Sequence, residues 1–330
     1  MKIVRYHKLG GPEVLQIEEA AIPQPEAGQV LLKVEAIDIG AIDTQVRRST
    51  LWGMPSFPVT PGGYVYGTVV QIGPDVSDVH KGEHILGFAP SGAYAEYALL
   101  PLALRVLPLP DTDLSPEELV ALPVSGETAY HLLATSAQIR PSERILIHAA
   151  AGGVPHMAVQ LARAMGARQI IATASSAAKL AFAQTLGADT LINYTDTDWT
   201  KQVKQATDEQ GVDIILDVAG GQTLIESIPL LAPSGRLISY GAVSGNLPAL
   251  PSESLMNLIL GMKRLEGFSV LTLMQRHSDL IVQGRQKLYS YLERGTVRPH
   301  ITHTFALEEI VEAHRQLESR SLVGKIVLRP

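Results

Sequence analysis

The run Ile145-Leu-Ile-His-Ala-Ala-Ala-Gly-Gly-Val-Pro155 carries an apolar stretch through a turn of small residues into a helix-forming segment. Such a turn brings backbone N–H groups and the positive end of a helix up to a pyrophosphate, because no bulky Cβ holds the ligand away. Against the pattern G-x-G-x-x-G, Ala150 and Pro155 stand at the first and third glycines, while Gly152 remains and Gly153 is added. Alone, the match also describes an ordinary strand-to-helix turn. Its place inside a βαβ unit gives it meaning, and Ala151, Gly152, Gly153 and Val154 are then the candidate phosphate contacts.

A site for NAD places Asp or Glu at the end of the second strand, about 20 residues further on. Here that end reads Ala172-Thr-Ala-Ser-Ser176 with no acid, and Lys179 follows one helical turn later. Hydroxyls and an ammonium suit a 2′-phosphate, which a carboxylate would repel. The spacing therefore favours NADPH. The plainer alternative is a serine helix cap with a solvated lysine.

The elements that must position these groups follow a repeating order. Ile145–Ala149, Gln169–Thr173, Thr190–Asn193, Val212–Val218 and Arg236–Tyr240 read as buried strands. Between the first two, Val154, Met157, Ala158, Leu161 and Met165 share one helical face. Strands alternating with helices predict an α/β fold with a doubly wound parallel sheet. Ahead of it, Val30, Leu32, Val34 and Ala36 alternate with Lys33 and Glu35, the period of a half-buried strand. Turns recur from Gly10 to Gly82, so the first part is predicted to be a compact β-rich unit. A helical stripe of Leu307, Ile310, Val311, His314 and Leu317, then a strand over Ile326–Leu328, predicts that the tail returns to that unit.

Composition excludes several classes. The 330 residues are 46% hydrophobic and 18% charged, enough for two cores. A net charge of -6 without basic clusters speaks against a nucleic-acid partner. Zero cysteines rule out disulfides, thiolate catalysis and cysteine-held zinc. No signal peptide and no apolar run of about 20 residues is visible, so a cytoplasmic protein without membrane partners is expected.

Together these residues resemble the zinc-independent quinone oxidoreductase branch of the medium-chain dehydrogenase/reductase superfamily. The resemblance spans nearly the whole chain. It rests on Gly10-Gly-Pro-Glu-Val-Leu15, Pro61-Gly-Gly with Gly67, Gly92-Ala-Tyr-Ala-Glu-Tyr97, Gly126-Glu-Thr-Ala129 and the Ala-Ala-Gly-Gly-Val turn. Leu186-Gly-Ala-Asp with Asn193-Tyr194, and Gly324-Lys-Ile-Val-Leu328, complete it. What it implies is a Rossmann NADPH-binding domain over 121–265, inserted into a GroES-like β-rich catalytic domain made of 1–120 and 266–330. The cofactor would lie in the cleft between them, and the assembly would be a homodimer. By position, Ser175, Lys179 and Tyr194 resemble the family's 2′-phosphate contacts, Thr128 its nicotinamide contact, and Gly241, Ala242 and Ser244 the loop beside the ring. The implied acceptors are quinones or carbonyl-conjugated alkenes (enones), which need no Lewis acid.

Three positions depart from the family pattern. Gly40 stands where asparagine is frequent, Tyr64 where an acid often follows Pro-Gly, and Pro155 where glycine opens the helix. Proline is acceptable in a first helical turn, although it adds bulk and removes a donor. Hydride transfer needs close placement, at about 3–3.5 Å, more than it needs an acid. A donor near the developing oxyanion would still help, and Asp43, Arg47, Tyr64 and Tyr130 are the catalytic candidates, with Tyr66 beside them. Asp43 could equally cap a turn or pair with Arg47, and His156 could approach the pyrophosphate or be a solvated helix residue. His300 and His303 fall on opposite faces of a strand, so no metal site is expected. Two other readings fit the same scaffold: a non-redox, cyclase-like biosynthetic enzyme, and a non-catalytic NADPH-binding protein.

Overall fold

The computed structural model describes residues 1–50, 53–107, 109–241 and 249–330. They form two compact units, one of Met1–Pro123 with Pro299–Pro330 and the other of Val124–Arg298.

The first unit opens with β1 (Lys2–Arg5) and β2 (Gln16–Glu19), an antiparallel pair, followed by the long strand β3 (Gln29–Asp38) and helix α1 (Ala41–Arg48). Next come β4 (Tyr64–Ile72), β5 (His84–Phe88), β6 (Tyr97–Pro101) and α2 (Pro116–Ala121). Ser115 caps α2 reciprocally with Glu118. The expected alternation in β3 holds, since Val30, Leu32, Val34 and Ala36 are buried while Lys33 is exposed. Leu31 and Ile37 are buried too, with α2 packed on β3 and β4. At Gly67 the two strands run so close that a Cβ would sit 2.3 Å from the Lys33 carbonyl oxygen.

In the second unit the chain runs α3 (Glu127–His131), β7 (Arg144–Ile147), α4 (Pro155–Ala164), β8 (Gln169–Ala174), α5 (Ala177–Thr185), β9 (Thr190–Asn193) and α6 (Trp199–Ala206). It continues through β10 (Val212–Asp217), α7 (Gly221–Ser227), β11 (Leu231–Ser239), α8 (Ser252–Leu260), β12 (Arg264–Gly267), α9 (Val270–Arg276) and α10 (Ser278–Glu293). All six strands are parallel, in the order β12-β11-β10-β7-β8-β9. The direction of winding reverses between β7 and β10, which is where a doubly wound sheet opens a crevice at its carboxyl ends. Leu146, Ile171, Ile215 and Leu237, one from each of four strands, are wholly buried on the sheet with Trp199 and Val203 of α6. Burying such a side chain contributes roughly 1.5–3 kcal/mol.

The chain then returns with β13 (Ile301–Ala306), α11 (Ile310–Ser319) and β14 (Lys325–Arg329). The first unit's sheet runs β13-β14-β3-β4-β5, with β6 also on β3. β3 thus pairs along one edge with β4, and along the other with β6 at its start and β14 at its end. The return falls at Pro299, not at residue 266 as the sequence suggested. The reason lies in packing: β12 extends the parallel sheet, and α10 lies on α3, where Arg285 meets Glu127 and Gly284 leaves room for the His131 ring. Among the described residues no helix is long and apolar enough to cross a membrane.

Candidate functional site

The small-residue turn joins β7 to α4, as the sequence pattern predicts. β7 ends at Ile147, Ala149 turns with φ 51°, and α4 starts at Pro155, its first residue. Gly152 N donates to Ala149 O at 2.8 Å, and Ala150 N donates to Thr173 O of β8 at 2.9 Å. Among the described residues no acceptor takes the N–H of Ala151, Gly153 or Val154. Three donors at a helix N-terminus, two of them on the small residues Ala151 and Gly153, fit a diphosphate. Pro155 disturbs none of this, because its missing N–H belongs to a position with no partner inside the helix. His156 is not solvated. It is fully buried, and its Nδ1 lies 3.0 Å from Gly152 O.

At the end of β8 the predicted 2′-phosphate residues come together. Asn193 of β9 pairs with Ala174, which sets Tyr194 beside Ser175, and Tyr194 N donates to Ala174 O at 3.1 Å. Ser176 is the N-cap of α5, accepting from Lys179 N at 3.4 Å, so the plainer reading of a serine cap is also true. Lys179 reaches back from α5, placing its ammonium 3.4 Å from the Ser175 hydroxyl. The arrangement offers a cation, a hydroxyl and a half-buried tyrosine without a carboxylate among them.

Asp217, which the sequence reading passed over, closes β10 at the winding reversal. Its carboxylate is buried and accepts from Ala219 N at 3.1 Å and from Gly220 N at 3.1 Å. Burial pushes its pKa up to about 6 even though these N–H groups pull it down. The acid at a strand end, just before the pair Gly220-Gly221, was the available signal. The buried Tyr240 hydroxyl, at the end of β11, has no hydrogen-bond partner among the described residues, and burial and Asp217 both raise its pKa. Gly241 follows where a Cβ would lie 2.9 Å from Val218 Cγ2, so only glycine fits without displacement. Ala242 and Ser244 lie outside the described residues.

Thr128 and Tyr130 both sit on α3. Thr128 is buried. The Tyr130 ring stands edge-on to His131 at 5.3 Å and against Gly284 of α10, and burial raises its pKa.

In the first unit, Asp43 caps α1 by accepting from Gly40 N at 2.8 Å, and it also takes a hydrogen bond from the buried Tyr94 hydroxyl. Burial pushes Asp43 up to about 6 against these bonds, and Asp38 adds to the rise. Tyr94 in turn lies 3.5 Å from His314 Nε2 of α11. A Cβ at Gly40 would meet only the Lys325 ammonium, at 3.8 Å, so the side chain absent there leaves open space. Lys325 is itself held by Asp38 at 2.6 Å and by Ile39 O at 2.7 Å. Arg47 does not pair with Asp43. Its guanidinium is wholly buried, donating to Gly10 O at 2.7 Å and to Glu318 of α11, so it clamps helices together and leaves the reacting set. Tyr64 opens β4, half-buried, edge-on to Phe88 at 5.3 Å. His300 and His303 are exposed, and among the described residues no three metal-ligating side chains gather.

A sheet of this order, with a small-residue turn at its reversal and a separate β-rich unit built from both ends of the chain, defines a dehydrogenase or reductase of the nested two-unit kind. The family described as alcohol dehydrogenase GroES-like domain matches residues 26–111, and that described as zinc-binding dehydrogenase matches 153–281. The chain is 34% identical to a 2-haloacrylate reductase of Burkholderia sp, covering 98% of this chain and 97% of the relative. It is 31% identical to the quinone oxidoreductase of Rattus norvegicus, covering 99% and 97%. The solved Escherichia coli quinone oxidoreductase complexed with NADPH superposes with a TM-score of 0.90 at 30% identity, over the full length of both chains. The chain belongs to the zinc-independent quinone oxidoreductase branch of the medium-chain dehydrogenase/reductase superfamily.

Proposed function

We propose that this chain is an NADPH-dependent oxidoreductase that passes hydride to a small quinone or to an α,β-unsaturated carbonyl compound. The observation that carries the reading is the Lys179 ammonium 3.4 Å from the Ser175 hydroxyl at the end of β8. A ribose 2′-phosphate there gains a charge-assisted donor, while NADH has nothing to offer the lysine. The NADPH complex of the Escherichia coli relative supports the same cofactor.

The turn from Ala151 to Val154 would hold the diphosphate, with Ser175, Lys179 and Tyr194 on the 2′-phosphate. Thr128, and Gly241 with Ala242 and Ser244, would hold the nicotinamide. When bound, NADPH supplies a hydride from its nicotinamide C4. The chain's own part is to orient the reactants and to place a donor for the developing oxyanion. Asp43, Tyr64 and Tyr130 are the donor candidates, and Asp43, held near pKa 6, can keep or release a proton at its carboxyl close to neutral pH. Pro155, the reason to consider a non-catalytic binder, leaves the donors of the turn in place. The cyclase-like reading, which Gly40 and Tyr64 would allow by reshaping the pocket, is not favoured by relatives that are quinone oxidoreductases and a 2-haloacrylate reductase.

We also propose that the protein works in the cytoplasm as a homodimer. Leu255, Met256, Ile259 and Leu260 of α8, with Met262 and Leu265 at the β12 edge, form an exposed apolar face. It lies beside a strand edge that a second copy could extend.

The test is to titrate the protein with NADPH by fluorescence, then add a panel of quinones and enones and follow the nicotinamide absorbance band. Tight NADPH binding with turnover on at least one acceptor is expected. Binding without turnover on any of them would overturn the reductase reading.

A further inference from the structure

The phosphate turn is braced from beneath by His148, the residue that follows β7. Its side chain is wholly buried, with Nδ1 2.8 Å from Thr173 Oγ1 of β8 and Nε2 2.9 Å from Ser227 Oγ at the end of α7. The ring also meets Trp199 of α6 edge-on, at 5.5 Å and 82°. Three elements therefore converge on one imidazole.

The positions of the protons follow from the partners. Ser227 has a single hydroxyl proton, and its oxygen lies 2.7 Å from Thr223 O, an atom that can only accept. The proton must point there, since two oxygens at that distance without one would repel. Ser227 can then only accept from the ring, so Nε2 carries the hydrogen. Nδ1 of a neutral ring is then bare and accepts from the Thr173 hydroxyl. Thr173 grips the turn twice, because its carbonyl oxygen also accepts from Ala150 N at 2.9 Å.

Between these two grips lies Ala149, whose φ of 51° is a left-handed conformation that an alanine holds only at a cost of about 1–2 kcal/mol. Such a corner persists where its surroundings over-determine it. We infer that His148 is a positioning residue for the cofactor: as a neutral Nε2–H imidazole braced between Thr173 and Ser227, it fixes the Ala149 corner and so the aim of the N–H groups of Ala151, Gly153 and Val154. The inference rests on reading this turn as the seat of a dinucleotide diphosphate. Burial pushes the ring down to about 4, so the brace stays neutral through the physiological range. The groups that face it, Thr173, Ser227 and Trp199, carry no charge, and Glu226 beside Ser227 is turned to Trp199 Nε1 at 3.0 Å.

Three full-length variants test the brace by fluorescence titration with NADPH and with NADH, alongside steady-state kinetics and thermal unfolding. Thr173→Val keeps the shape and the backbone and puts a methyl where the hydroxyl was, so His148 Nδ1 loses its donor. His148→Leu removes both ring bonds, and His148→Asn keeps an acceptor for Thr173. We expect Thr173→Val and His148→Leu to raise Kd for both cofactors by the same factor, on the order of 10-fold, equal to about 1.4 kcal/mol. The loss should fall on KM for the cofactor more than on kcat, with His148→Asn recovering most of it. Should His148→Leu not fold, Thr173→Val carries the test alone. Unchanged Kd in a folded Thr173→Val protein, or a loss confined to NADPH, overturns the role of His148 and leaves the cofactor reading intact. A wild-type protein that binds neither nucleotide removes both.

Discussion

Arg285 of α10 donates to Glu127 of α3 across 2.6 Å, with both side chains buried. The pair ties α10 to the helix that carries Thr128. Truncating one partner leaves the other's charge in a place water cannot reach, which costs about 3–5 kcal/mol. Glu127→Ala is expected to lose that much in a urea unfolding experiment, whereas Glu127→Leu combined with Arg285→Met should recover most of it. A Glu127→Ala protein as stable as the wild type would show that the carboxylate does not neutralise Arg285.

Lys179→Ala should separate the two cofactors. Removing the ammonium takes away a charge-assisted hydrogen bond worth about 1.5–3 kcal/mol, so NADPH should bind roughly 10- to 100-fold more weakly while NADH is unaffected. Equal losses for both nucleotides in a fluorescence titration would refute the 2′-phosphate assignment.

Two sets of buried groups should make stability depend on pH in opposite directions across the acid range. Burial pushes His131 and His148 down to about 4 and His314 down to about 3, from an ordinary value of 6.5. As pH falls the unfolded chain takes these protons first, so their contribution is intact above 6.5 and is lost toward the folded values. Asp43 and Asp217, raised to about 6 from 3.8, act with the opposite sign: their contribution is complete below 3.8 and fades as pH rises through 6. Burial raises Glu127 as well, so three acids oppose the three histidines, and Asp217→Asn, which removes one acid, should make stability rise more steeply with pH between about 4 and 6 than it does in the wild type. Urea unfolding of both proteins at stepped pH checks it, and an equal slope in the two would contradict the raised carboxyl of Asp217.

Leu260, at the end of α8, is 78% exposed within an apolar face. If a second copy covers that face, Leu260→Glu buries an unpaired carboxylate at the interface and should shift the protein to a monomer. Sedimentation at micromolar concentration reads the outcome, and a wild-type monomer there would end the proposal of a homodimer.

The sequence alone determined the alternation of strands and helices, the small-residue turn at 149–154 and the acid-free end of β8 with Lys179 behind it. Each is written in neighbouring residues, because helix and strand periods, turn chemistry and a lysine one helical turn beyond a serine are local facts. Tertiary structure decided the rest. Arg47 could not be withdrawn from the reacting set until Glu318, 271 residues away, was seen to hold it. His148 fell inside the predicted strand Ile145–Ala149 and His156 just past the turn, and only packing showed both rings buried; the return to the first unit lies at Pro299, with Arg285 of α10 held on Glu127. Burial and ion pairing depend on which distant segments meet, and a one-dimensional pattern records an element's apolar face without naming what will cover it.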